Sequence, residues 1–158
     1  MEEKLRRELV MLLSGGNAHM SLKDATSDFP KSWMNKAAPN VEYTFWQLLE
    51  HIRIGQKDIL DYILQKNYKP LEWPKDYWPV AGVKASTQMW NKTLESIQSD
   101  NKKLLKLVTD KKLNLFKLCP NNQTILHELI TIADHLSYHL GEFAILRQVA
   151  KNWDRKHK

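Results

Sequence analysis

Between positions 85 and 112, Trp90, Leu94, Ile97, Asn101, Leu104 and Val108 follow one another at steps of three or four, with Leu105 beside the row. Only a helix of about 3.6 residues per turn gathers that spacing onto one face, and the resulting apolar stripe needs a partner to cover it. Three further stretches make the same demand. Residues 2–13 carry Leu5, Leu9, Leu12 and Leu13. Residues 41–66 carry Phe45, Trp46, Leu48, Leu49, Ile52, Ile59, Tyr62 and Ile63. Residues 123–153 carry Ile125, Leu129, Ile132, Leu136, Phe143, Leu146 and Val149. Ser14-Gly15-Gly16, Pro39-Asn40 and the Pro120 segment punctuate them, as helix ends require. Ser21, three residues before Asp24, caps a short helix towards Phe29, where Pro30 follows. Alternation appears only in residues 113–118, too isolated to define a sheet. The expectation is an all-α four-helix bundle with one additional short helix.

Residues 67–82 break the pattern. Pro70, Pro74 and Pro79 exclude regular helix, and Trp73, Tyr77 and Trp78 crowd among them. A connection this long is a candidate lid or pocket wall, which makes the three aromatics candidate substrate-pocket residues. Trp46, Trp90 and Trp153 read as packing or interface residues.

The chain of 158 residues is long enough to bury a core as one domain over positions 1–158. With 42 % hydrophobic and 27 % charged residues it has the composition of an ordinary globule. Cys119 is the one cysteine, so no internal disulfide forms and no cysteine-rich zinc module exists. The opening Met1-Glu2-Glu3-Lys4 does not resemble a signal peptide, and no apolar run approaches the roughly 18 residues of a membrane span; a cytoplasmic protein is expected. The formal charge of +6 raises the question of nucleic acid. Much of it is lysine in residues 101–113, interleaved with leucines as on a solvated helix face, and in the tail 151–158, while no nucleic-acid-binding signature occurs. A small-molecule substrate is the expected partner instead.

Six histidines occur, at 19, 51, 127, 135, 139 and 157. His135 and His139 stand four apart in the last helix, so both lie on one face, about 5–6 Å apart at Cβ. Two imidazoles there can share one metal ion. His51 in the long upstream helix can complete a three-histidine site with open positions, which suits chemistry better than a closed structural site. Gly55, one turn on, is expected to leave room above His51. His127 is about 80° off the stripe and is excluded, and His157 falls in the tail. His19 lies in a turn that can fold back over the site, a candidate substrate contact or fourth ligand. Glu128 and Glu142, with Asp134, are nearby carboxylates; the first two are candidate catalytic residues.

The segment Leu48-Leu49-Glu50-His51, together with Asp134-His135-Leu136-Ser137-Tyr138-His139-Leu140-Gly141-Glu142, resembles the DinB-like superfamily of bacterial four-helix bundles, which includes thiol S-transferases. The similarity extends over most of the chain, including the helix order and the aromatic loop. It implies His51, His135 and His139 as ligands of a divalent metal, and a homodimer as in relatives. Glu142 departs from the Gln common at that place. All-nitrogen ligation suits zinc, nickel or iron. The open position would take water, as in a hydrolase, or a low-molecular-weight thiol, as in the family's transferases. Cys119 is not expected to be the nucleophile, having no evident activating base. The rival readings are a non-catalytic helical binding or stress protein, with a vestigial or structural metal site, and a nucleic-acid binder.

Overall fold

The computed structural model describes residues 2–16 and 18–153; the end of the tail, with His157, lies outside them. Five α-helices are present: α1 (Glu2–Ser14), α2 (Leu22–Thr26), α3 (Phe45–Leu64), α4 (Thr87–Thr109) and α5 (Ile125–Val149). Single 3-10 turns occupy Lys31–Trp33 and Lys75–Tyr77. Among the described residues there are two isolated β-bridges and no strand. No helix among the described residues is long and apolar enough to cross a membrane.

Local chemistry sets the helix starts. Ser21 and Asp24 form a reciprocal capping box at α2, and Thr44 and Gln47 do the same at α3. Ser86 caps α4 and Thr124 caps α5 through their hydroxyls. These caps place the starts of α3, α4 and α5 two to four residues inside the stretches their apolar periodicity marks out, because each cap residue is itself extended. The two bridges, Ala37 with Thr44 and Leu118 with Thr124, fix the chain just before α3 and α5.

The four long helices close a ring: α3 packs on α4 and α5, and α1 packs on the same two from the other side. Two buried arginines tie helix ends to the body. Arg6 of α1 donates to the carbonyls of Val108 and Leu113 at 2.7 and 2.5 Å, covering the C-terminal end of α4. Arg147 of α5 donates to the carbonyls of Ala25, Ser27 and Asn152 at 2.7, 2.9 and 3.3 Å.

The core falls into two apolar clusters stacked along the bundle. One gathers Phe45, Leu48, Leu49, Ile52, Trp90, Ile97, Leu136, Leu140 and Phe143. The other gathers Leu9, Leu13, Leu60, Leu104, Val108, Ile125, Leu129 and Ile132. A polar layer lies between them. It consists of His51 and Gln56 on α3, Asp100 and Asn101 on α4, and His135 on α5. Both amide atoms of Gln56 and Oδ1 of Asn101 are buried there without a hydrogen-bond partner among the described residues.

Candidate metal centre

α3 and α5 bring three imidazoles together beside this layer. A ring nitrogen from each of His51, His135 and His139 lies within 4.8 Å of the others, an arrangement able to hold a metal ion. His51 Nε2 is 3.2 Å from His139 Nε2 and 3.4 Å from His135 Nε2. Two nitrogens on a tetrahedral zinc, each at about 2.0–2.1 Å, stand roughly 3.3 Å apart, so both separations match a shared ion.

The outer hydrogen bonds decide which nitrogens are free. His51 Nδ1 lies 2.8 Å from the Tyr77 carbonyl, which only accepts, so Nδ1 carries the proton and Nε2 presents a lone pair. His139 Nδ1 lies 2.6 Å from Glu142 Oε2, with the same consequence. Two lone pairs therefore face each other at 3.2 Å with no hydrogen between them. Protonating His51 would relieve the clash, but burial opposes it. Burial lowers the His51 pKa below its ordinary value. At His135, burial together with the neighbouring rings pushes it down to about 4. A cation shared by the three rings satisfies all of these constraints. His135 Nδ1 is buried without a partner among the described residues, so its tautomer is not fixed in this way.

Glu142 accepts from His139 on one oxygen and from the Tyr43 hydroxyl on the other. Burial alone would raise the Glu142 pKa; these two hydrogen bonds and the nearby imidazoles outweigh it and hold the carboxyl below its usual range. Burial and the same hydrogen bond raise the Tyr43 hydroxyl. Glu142 thus sits behind a candidate ligand and orients it.

Gly55 serves a different ring from the one expected. A Cβ on Gly55 would lie 2.9 Å from His135 Cε1 and 3.3 Å from its Nε2. The missing side chain makes room for His135, reaching across from α5, and not for His51 on the same helix.

A cavity of about 730 Å³ opens beside the histidines, within the ordinary range for small-molecule sites. Trp73, Tyr77 and Trp78 all line it. Trp78 stacks on the His51 ring at 4.3 Å with the planes 8° apart. The Tyr77 hydroxyl donates to Asp58 at 2.6 Å, and so does the Tyr68 hydroxyl. With its carbonyl on His51, Tyr77 bolts the loop to α3 at two points, making it a wall of the cavity.

His19 is not among the residues lining the cavity. Its Nδ1 lies 2.8 Å from the Met20 carbonyl and its Nε2 lies 2.9 Å from the Ser137 hydroxyl, which pins the turn after α1 to α5. His127 and Asp134 are exposed. Glu128 lines the cavity, but it stands seven residues before His135, two helical turns or about 10 Å along α5. Cys119 is buried, and burial raises its thiol pKa, the opposite of an activated nucleophile. The sequence reading missed Tyr43, Asp58 and Tyr138 as parts of the site. For Tyr43 no local signal exists, because its partner lies on another element; Asp58 has one, standing seven residues after His51 on the same face of α3. Tyr138 precedes a candidate ligand directly, and its ring meets the His139 ring edge-on at 4.9 Å.

Comparison of the chain with family models, with curated proteins and with solved structures found no match. The helical bundle and its three converging histidines, compatible with metal binding, are what the sequence and geometry supply together.

Proposed function

We propose that this protein is a divalent-metal-dependent enzyme of the DinB-like type, whose three-histidine centre activates a thiol for S-transfer or water for hydrolysis. The observation that carries the reading is the convergence of three Nε2 atoms, two of them held as lone-pair donors by Tyr77 and Glu142. The resemblance of the Leu48–His51 and Asp134–Glu142 segments to that superfamily supports it independently of the geometry. A divalent zinc, nickel or iron ion supplies Lewis acidity there, which makes a thiol or water nucleophilic near neutral pH.

The chain's own residues then have distinct tasks. His51, His135 and His139 hold the ion. Tyr77 fixes the His51 tautomer through its carbonyl, and Glu142, braced by Tyr43, fixes that of His139. Trp78 covers one face of His51 and limits access of bulk water from that side. Trp73 and Tyr138, both exposed and both lining the cavity, flank its approach.

Metal content of untagged protein, measured by inductively coupled plasma mass spectrometry, tests the reading. One ion per chain is expected in the wild type and none in His51→Ala or His135→Ala. The loaded wild type is then expected to turn over an ester or a thiol–electrophile pair, with His51→Ala inactive. Absence of metal after reconstitution with zinc, nickel and iron would overturn the proposal. Metal without turnover would favour a non-catalytic binding protein.

The brace behind His139 yields a graded prediction. Glu142→Ala should weaken zinc about 10–100-fold without removing a ligand, the usual cost of losing such an outer partner. Competition against a chelator of known affinity measures it, and an unchanged affinity would separate Glu142 from the centre.

A further inference from the structure

The cavity has two chemically different ends. At one stand the three histidines; at the other stand two carboxylates, Asp58 and Glu128. Asp58 lies seven residues after His51 on α3, and Glu128 seven residues before His135 on α5. Each is two turns, or about 10 Å, from its histidine, and the antiparallel run of the two helices brings both to the same level. Burial raises the Glu128 pKa, the exposed His127 on the same helix opposes the rise, and Asp58 adds to it.

No Lys or Arg lines this cavity, although the chain as a whole is basic. Asp58 accepts only from the neutral hydroxyls of Tyr68 and Tyr77. Glu128 is 8 % exposed, and its carboxylate has no hydrogen bond or ion pair with any described residue. A carboxyl group buried this far is costly unless something pairs with it, and the open side of Glu128 is the cavity. The walls between the two ends are largely aromatic and aliphatic, with Trp73, Tyr77 and Ile59 among them.

We infer that the Asp58–Glu128 end of the cavity receives the ammonium group of an amine-bearing substrate, whose reacting end reaches the histidines about 10 Å away. The inference deepens the proposed function by naming a substrate class, and rests on this cavity being the substrate site. An organic cation answers each feature of that end. It pairs with the unpartnered carboxylate, it is attracted by aromatic faces, and its stem covers the apolar wall. A substrate carrying phosphate or carboxylate at that end would meet two negative groups and no cation.

The probes are 3-phenylpropylamine, the neutral 3-phenylpropanol and the anionic 4-phenylbutanoate, titrated calorimetrically into chelator-treated wild type, Glu128→Gln and His51→Ala. The amine is expected to bind wild type at least tenfold more tightly than the alcohol, with the acid weakest. In Glu128→Gln the amine should weaken roughly tenfold, about 1.4 kcal/mol, while the alcohol is unchanged. Equal affinities for amine and alcohol in wild type would overturn the inference, as would absence of saturable amine binding or an amine affinity indifferent to Glu128→Gln. The wild-type comparison stands even if a variant fails to fold. Preference for the amine should persist in His51→Ala. Selective amine binding in a wild type that holds no metal would therefore sink the metal reading alone. Metal binding without amine selectivity would sink this inference alone.

Discussion

Arg147→Met should destabilise the protein by about 3–5 kcal/mol, the largest single-residue effect on stability expected here. The Arg147 side chain is 0 % exposed and lies at the end of α5. Its guanidinium reaches three backbone carbonyls, those of Ala25, Ser27 and Asn152. It also lies over the Phe29 and Trp153 rings, at 5.1 and 4.7 Å from their centroids. Burial lowers its pKa, with Asp28 opposing, to about 10, so it stays charged at neutral pH. Methionine fills the volume of the stem but donates to none of the carbonyls. Each buried acceptor left unpaired costs about 1–3 kcal/mol, and α2 loses its tie to α5. In a chain of this length the midpoint of thermal unfolding should fall by roughly 10 °C or more. Arg147→Lys should recover only part of the loss, because one ammonium does not reproduce the planar fork. Urea unfolding measures the change, and a difference below about 1 kcal/mol for the methionine variant would show that the carbonyls find other partners.

Gly55→Ala should act on metal and stability in opposite directions. In metal-free protein, alanine in a helix interior gains roughly 0.5–1 kcal/mol over glycine, which offsets the cost of moving a neighbour. The neighbour is the end of the His135 ring, 2.9 Å from the added carbon, and it can turn aside about its side-chain torsions. The turn takes His135 Nε2 away from His51 Nε2 and leaves two rings to hold the ion. Loss of one of three ligands should weaken zinc by about 3 kcal/mol, roughly a hundredfold. The combination to look for is an unfolding midpoint in chelator equal to or above wild type, with zinc affinity reduced by that factor. Wild-type zinc affinity in Gly55→Ala would mean that His135 is not a ligand.

How legible these features were in the sequence depended on how far apart the interacting residues lie. The helices were legible because periodicity and caps are local: Leu104 and Val108 state their face directly, and Ser21, three residues before Asp24, marks the start of α2, whereas the Thr44 cap that starts α3 at Phe45 went unread within residues 41–66. His135 and His139 were legible for the same reason, since four residues within one helix fix their relation. Gly55 was not. Its sequence neighbour is His51, its spatial neighbour is His135, and only the packing of α3 on α5 decides between them. Glu128 was visible as a carboxylate on the right helix, but its distance from the centre follows from counting turns towards the far end of the cavity. Arg147 did leave a sign, a charged residue continuing the apolar row Leu136, Leu140, Phe143. A cation at such a place points to carbonyls that need donors, though which carbonyls depends on α2 folding over the end of α5.

The polar layer between the two apolar clusters has a bearing on alignment as well as on chemistry. Leucine and isoleucine layers are nearly interchangeable, so α3 sliding one turn, about 5.4 Å, along α5 would still bury aliphatic surface. The same slide would push His51 and Gln56 among aliphatic side chains and separate His51 from His135 and His139, at about 1–3 kcal/mol for each polar group stranded. The residues that form the candidate centre therefore also act as an axial key, as a single polar position does in a coiled coil, and any chain that keeps the histidines keeps the helices in step.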